Sequence, residues 1–385
     1  MENNLLNSFV DELHKLEKQG NSRTLPLITQ QGNRIQYEEK NGYNLSSNDY
    51  LDLATDLTLR EDFLQSVNSD NALFSASSSR LLTGNHVLYT QLEERLSAMF
   101  GTESALVFNS GYHMNTGILP AICHGRTLIL ADKWVHASLI DGIRLSAAQH
   151  FRYRHADYAH LEELLAKHAS HFERVIIVTE SIFSMDGDCT DLGYLVRLKR
   201  RYSNIMLYVD EAHAVGVRGD RGLGSAEEQG CIAAIDFLTG TFGKALASLG
   251  GYLVCRQPIR DYLINKMRTL LFTTALPPIN LRWSLFILER LDSFSDRRQQ
   301  LCKNSTLLKQ QIIAKGYECG SQSHILPLII GDSNAAVLKA EELQRKGFYV
   351  LPIRPPTVPE GTSRIRISLT AGMPTSLIHQ LAASL

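Results

Sequence analysis

Apolar and polar positions follow two periods along the chain. Short, near-continuous apolar runs recur at "SALVF" (104–108), "TLILA" (127–131), "RVIIVT" (174–179), "IMLYVD" (205–210) and "GYLVC" (251–255). Runs of this length, rich in β-branched residues, predict strands buried on both faces. Between them the period becomes helical. In "VLYTQLEERLSAMF" (87–100), Leu88, Leu92, Leu96 and Met99 line one side of a helix. "DYAHLEELLAKHA" (157–169) gathers Leu161, Leu164, Leu165 and His168 in the same way. Buried strands separated by helices predict an α/β fold with a mostly parallel central sheet. Near residue 280 the texture changes. A long helical stretch to about 317 precedes strand-like "ILPLII" (325–330), a helix near 334–346, then "FYVLPI" and "RIRISL". Three parts are predicted: a helix and extended arm over 1–45, a large domain over 46–279 and a small α+β domain over 280–385.

Composition narrows the partners. The chain has 385 residues, 44% of them hydrophobic, enough for a large core. Its 39 Lys and Arg nearly balance 40 Asp and Glu, which argues against a nucleic-acid binder. Six cysteines without a C-x-x-C pair fit reduced thiols better than a disulfide framework or a zinc site. The first twenty residues lack the basic-then-apolar order of a secretory signal, and no apolar run reaches membrane-spanning length. A soluble, cytoplasmic protein is expected.

The segment "LYVDEAHAVGVRG" (207–219) contains Asp-Glu-Ala-His, letters shared with a helicase ATPase box. That reading requires a G-x-x-x-x-G-K-[ST] phosphate loop upstream. The nearest text, "TGTFGKAL" (239–246), lacks the first glycine, carries Ala245 in place of Ser or Thr, and lies downstream. A metal site is also poorly supported, because Asp210 and His213 have no further tight cluster of ligands near them in sequence. A third reading starts from position. Asp210 ends an apolar strand, so its carboxylate emerges at the carboxyl edge of a parallel sheet, where α/β proteins place ligands. Buried there, it requires a cationic partner.

Lys244 lies thirty-four residues on, in "LTGTFGKALASLGG", among small and apolar neighbours. Burial would favour its neutral amine, a nucleophile able to form a Schiff base with a carbonyl. One cofactor suits Asp210, His213 and Lys244 together, pyridoxal 5'-phosphate: its aldehyde takes the lysine, its ring nitrogen the aspartate, and its ring or phenolic oxygen the histidine. Its phosphate would take hydroxyls such as that of Thr241 and backbone N–H groups.

At these residues the chain resembles the α-oxoamine synthases, fold-type I pyridoxal-phosphate enzymes. The resemblance covers roughly 20–380 and runs through "NLSSNDYLDLA" (44–54), "LVFNSGYHMN" (106–115), "DKWVHASLIDGIRLS" (132–146), "VTESIFSMDGD" (178–188), "LLFTTALPP" (270–278) and "LPIRPPTVPEGTSRIRISLTA" (351–371). It implies a fold-type I transferase that condenses an amino acid with an acyl thioester, on coenzyme A or a carrier protein, with loss of carbon dioxide. The carboxy-terminal block looks most like members that join L-alanine to a pimeloyl thioester in biotin biosynthesis. The block "HASLIDGIRL" echoes members that acylate glycine. A non-catalytic partner subunit is a further alternative, against which the retained Lys244 argues.

The resemblance also implies site roles. Lys244 would carry the cofactor and act as acid and base, with Asp210 at the ring nitrogen, His213 at the phenolic oxygen and His136 stacked on the ring. Ser110, Gly111, Tyr112 and Thr241 would serve the phosphate, and Ser184 and Glu180 would support the pocket. Thr273 and Thr274 look like residues lent to a partner's phosphate, which implies a homodimer with shared active sites; a buried structural pair is the alternative. For the substrates, Asn48, Arg366, Thr357 and Arg23 are the candidates. Arg364 and Arg366 share one strand face, and the alignment of blocks favours Arg366.

Overall fold

The apolar runs become strands of one seven-stranded sheet in a computed structural model, which describes residues 4–37 and 40–385. In chain order the strands are β1 (Ser104–Phe108), β2 (Thr127–Asp132), β3 (Gln149–Tyr153), β4 (Arg174–Glu180), β5 (Ile205–Asp210), β6 (Phe237–Thr241) and β7 (Gly251–Cys255). They lie in the order β1-β7-β6-β5-β4-β2-β3. Neighbours from β6 to β3 run parallel, while β7 runs antiparallel to both β1 and β6. Two strands, β3 and β6, are absent from the apolar runs. Strand β3 is a part-exposed edge with Gln149, His150 and Arg152, and β6 contains Gly240 between two threonines.

Helices cover this sheet as their spacing predicts. Val87–Phe100 buries Leu88, Leu92, Leu96 and Met99, each contributing about 1.5–3 kcal/mol relative to exposure. His86 Nδ1 caps its start by accepting from the Leu88 N–H, and Gly101 ends it in the left-handed region at φ 65°. The segment 157–169 forms the helix Tyr158–His168, with Leu161 and Leu165 buried.

The chain divides into two compact units, described separately. The larger holds Asp56–Ser184 and Cys189–Arg298; the smaller holds Met1–Thr55, Met185–Asp188 and Gln299–Leu385. Residues 1–3 and 38–39, within the amino-terminal segment set apart above, lie outside the described residues.

The smaller unit differs from the sequence reading in its first part. After the helix Asn4–Lys18, the arm folds into an antiparallel meander of Ile28–Gln31, Arg34–Tyr37 and Lys40–Asn44, with Phe348–Tyr349 parallel to the third strand. A three-stranded antiparallel sheet of Ile325–Gly331, Ser363–Ser368 and Pro352–Ile353 completes it. The helical stretch after 280 is not continuous: Pro278–Glu289 and Ser295–Ala314 are separated by a 3₁₀ turn at Leu291–Phe294. Among the described residues, no helix is long and apolar enough to cross a membrane.

Candidate active site

In the larger unit, β2, β4, β5 and β6 all end on polar residues: Asp132, Glu180, Asp210 and Thr241. These strands are mostly apolar along their length, and their terminal polar residues gather at the carboxyl edge of the sheet, where ligands bind in such folds.

Asp210 is 5% exposed. One carboxylate oxygen accepts from the Asn115 side-chain amide at 2.8 Å and the other from the Ala212 backbone N–H at 2.9 Å. Both donors are neutral. Glu180 stands opposite Asp210 in the β4–β5 register and accepts from the His136 backbone N–H at 2.5 Å. Burial, reinforced by the charge of Asp210, holds the Glu180 carboxyl well above the usual carboxylate range. His136 caps the helix Ala137–Leu145 with its Nδ1. Burial is the larger influence on its ring and lowers its pKa, with Asp210 pulling the other way and Lys244 adding to the fall. Lys244 therefore interacts electrostatically with both Glu180 and His136.

Two residues beyond Asp210 the chain turns at Ala212, and His213 is 4% exposed. Its Nε2 lies 2.9 Å from Lys244 Nζ. The loop that holds Lys244 joins β6 to β7 and is closed by its own backbone: Phe242 N–H donates to Gly250 O, Ser248 N–H to Phe242 O and Ala247 N–H to Lys244 O. Thr241 supports the same turn, its hydroxyl donating to Gly250 O at 2.8 Å and accepting from the Gly243 N–H at 3.1 Å.

The helix Gly111–Ile122 begins beside this loop. Ser110 is its N-cap, accepting from the His113 N–H at 3.1 Å. A Cβ added at Gly251 would stand 3.0 Å from the Gly111 nitrogen, so only a residue without a side chain lets β7 pass so close to the helix start. Gly111 in turn lies near Thr241, whose Cβ would be 3.8 Å from an added Cβ. The opening amides of a helix lack intrahelical acceptors and favour an anion. Tyr112 shares this first turn, and its exposed ring donates its hydroxyl to Asp141. Ser184 is half-buried in the turn after β4. Thr273 and Thr274 are joined to the same region by Asn109, whose amide donates to the Thr273 hydroxyl at 3.4 Å and to the Thr274 carbonyl at 2.5 Å. Thr274 is exposed and Thr273 half-buried, so they are not a buried structural pair.

In the smaller unit, Arg366 is 9% exposed and donates to Asn48 Oδ1 at 3.1 Å and to the Tyr50 hydroxyl at 3.2 Å. Arg364, on the same strand, forms an ion pair with Asp186. The two arginines that the sequence leaves nearly equivalent are thus separated by their partners. Arg23 and Thr357, 334 positions apart, bond to one another through Arg23 Nη2 and Thr357 Oγ1 at 3.1 Å.

Three residues at the site were not anticipated. Asn115, Ser138 and Tyr208 form a buried chain of hydrogen bonds behind Asp210 and His136. The local signal is polarity out of place, such as an asparagine inside the mostly apolar "MNTGILPAI".

The donor set fits pyridoxal 5'-phosphate. A buried carboxylate with neutral donors suits a ring N–H, the amine of Lys244 is held by an imidazole, and a helix amino terminus suits a phosphate. Comparisons with known proteins agree. The family model for aminotransferase class I and II matches residues 40–385. A relative from Neisseria meningitidis, provisionally named 8-amino-7-oxononanoate synthase, is 54% identical over 99% of this chain and 100% of its own. One from Glaesserella parasuis, provisionally given the same name, is 55% identical over 96% and 97%. The serine palmitoyltransferase of Sphingomonas wittichii superposes with a TM-score of 0.91 at 28% identity, covering 100% of this chain and 97% of that one. The 8-amino-7-oxononanoate synthase of Francisella tularensis gives 0.76 at 28%, covering 89% and 96%. With the family model matching residues 40–385 and a relative 54% identical over 99% of the chain, the chain belongs to the aminotransferase class I and II family, within the α-oxoamine synthase branch of pyridoxal-phosphate-dependent acyltransferases.

Proposed function

We propose that the protein joins L-alanine to a pimeloyl thioester, giving 8-amino-7-oxononanoate, carbon dioxide and a free thiol in biotin biosynthesis. The observation that carries this reading is identity of 54–55% over almost the whole chain with relatives provisionally named for that activity. The serine palmitoyltransferases share the fold at roughly half that identity.

When bound, pyridoxal 5'-phosphate supplies an electron sink conjugated to the amino-acid Cα. The chain's own residues do the rest. Asp210, held by Asn115 and the Ala212 amide, keeps the proton on the ring nitrogen. Lys244 would hold the cofactor aldehyde, and its Nζ would take the Cα proton and later return one. His213, 2.9 Å from that Nζ, orients the amine and serves the phenolic oxygen. His136 would pack on the ring, with Glu180 and Ser184 supporting the pocket. The phosphate is taken by the amides of Gly111 and Tyr112, by Ser110 and Thr241, and by Thr273 and Thr274 of a second copy. In the overall change, a C–C bond forms between Cα and the acyl carbon, C–S and Cα–carboxylate bonds break, and the thiol and carbon dioxide leave. Arg366 and Asn48 are assigned to the amino-acid carboxylate, and Arg23 and Thr357 to the acyl substrate.

A homodimer accords with the exposed apolar side chains Phe74, Leu82 and Phe272. The segments that carry Leu82 and Phe272 are tied together where Ala275 N–H donates to Ser78 O.

The test is a matrix of amino acids against acyl thioesters, with coenzyme A and carrier-protein forms of each. Turnover of L-alanine with a pimeloyl thioester is expected. Turnover confined to glycine with a short acyl group would replace this reading with that of a glycine acyltransferase.

A further inference from the structure

The hydrogen bonds behind Asp210 form one saturated arrangement centred on Asn115, which is 2% exposed. A carboxamide has two N–H donors and one carbonyl acceptor. Here one N–H goes to Asp210 Oδ2 at 2.8 Å and the other to Ser138 Oγ at 2.9 Å. The carbonyl accepts from the Tyr208 hydroxyl at 2.6 Å. Ser138 and Tyr208 are 1% and 0% exposed, so water does not compete for these bonds. The amide has a single allowed orientation. Rotated by half a turn, its carbonyl would face a carboxylate oxygen and leave both buried acceptors without a proton.

The consequence reaches His136. Ser138 Oγ lies 2.8 Å from His136 Nδ1 and, with a lone pair given to Asn115, has its own proton free to donate to that nitrogen. That nitrogen also accepts from the Ser138 backbone N–H at 3.2 Å. Nδ1 is therefore an acceptor twice over, and the neutral ring carries its proton on Nε2. Burial, which lowers the pKa of His136, favours the same neutral form. Tyr208 keeps its hydroxyl proton, because burial and then the charge of Asp210 raise its pKa well above the ordinary value.

We propose that Asn115 is a positioning residue for the reaction: it aims the Asp210 carboxylate at the cofactor ring nitrogen and, through Ser138, fixes His136 as the Nε2–H tautomer. The assignment rests on the pyridoxal-phosphate reading above. It explains why an amide stands at a buried position of the helix Gly111–Ile122.

The experiment compares the holoenzyme with Asn115→Ala, Asp210→Asn and the double variant, reading cofactor dissociation by equilibrium dialysis alongside steady-state kinetics. A hydrogen bond to a charged group lost in Asn115→Ala should weaken cofactor binding about tenfold or more and lower kcat by a similar factor. The acyl-thioester KM should stay within about threefold, because Asn115 acts on the ring and not on that substrate. In the Asp210→Asn background the further loss should be under about threefold, since the two act as one unit. If Asn115→Ala does not fold, Tyr208→Phe removes only the hydroxyl on the amide carbonyl and should shift cofactor affinity in the same direction, by about threefold or more. Magic-angle-spinning ¹⁵N spectra of histidine-labelled holoenzyme, with His136→Gln locating the signal, should give the Nε2–H tautomer. Cofactor affinity and kcat within twofold of wild type in the folded variants, or losses that multiply with Asp210→Asn, would overturn the assignment. Wild-type protein that takes up no pyridoxal phosphate would overturn the functional reading first, and this one with it.

Discussion

Lys244 Nζ and His213 Nε2 lie 2.9 Å apart, although the two residues are separated by 31 positions that include the short helix Ser225–Glu228, a 3₁₀ turn and the strand β6. The contact joins the loop after β6 to the turn after β5, at the edge where the buried strands end. One of the pair must accept the hydrogen bond, so at least one of them is uncharged at that nitrogen. Replacing His213 with phenylalanine keeps a ring in place and removes the polar nitrogen. The variant should retain the fold and lose about 10–100-fold in kcat, measured with saturating cofactor.

In the proposed reaction, Asp210 is the carboxylate beside the cofactor ring. Asp210→Asn preserves shape and leaves hydrogen-bonding capacity but removes the anion. The expected result is a fall in kcat of about 10²–10³-fold with unchanged near-ultraviolet circular dichroism.

The two arginines of the strand Ser363–Ser368 should separate in their effects. Arg364→Ala removes the ion pair with Asp186 and should cost stability, about 2–4 kcal/mol by denaturant unfolding, in a largely buried setting. Arg366→Ala should instead raise the amino-acid KM about tenfold or more. The reverse pattern would move the carboxylate role to Arg364.

Glu211 gives a pH prediction. Its carboxyl is 1% exposed and is pushed up to about 7, by burial first, although Ser181, Ser225 and Ala226 all donate to it and pull the other way. The folded state therefore holds this proton more tightly than the unfolded chain, whose value is 4.5. Stability from this group is full below the unfolded value and is lost as pH rises through about 7. The stability of wild type relative to Glu211→Gln should fall by roughly 3 kcal/mol between acid and neutral pH. Chemical unfolding across that range reads it directly, and a flat difference would contradict it.

Much of this could be read from residue order, and the rest divides by physical cause. The helix Val87–Phe100 follows from its leucine spacing, and five of the seven sheet strands from their apolar runs. The direction of β7 could not be read, because "GYLVC" packs the same side chains whether it runs parallel or antiparallel. The meander over 28–44 escaped because its strands are four or five residues long and largely exposed, too short for a period to emerge. Asn115, Ser138 and Tyr208 escaped for another reason. Their roles exist only through contacts 23 and 93–95 positions apart, and no local pattern encodes such pairing.

The exposed apolar side chains offer a test of assembly. Leu82 is 76% exposed and Phe272 69%. In the proposed homodimer, Leu82→Glu and Phe272→Glu should shift the protein from dimer to monomer in sedimentation. Activity should fall with assembly if Thr273 and Thr274 serve the partner's phosphate.

The central claim is that Lys244 holds pyridoxal 5'-phosphate. Borohydride reduction of the cofactor-loaded protein, followed by peptide mass mapping, tests it most directly. The expected result is a yellow protein that loses its colour on reduction and gives a phosphopyridoxyl label on the peptide containing Lys244. A label on another lysine, or none on protein shown to be folded, would contradict it.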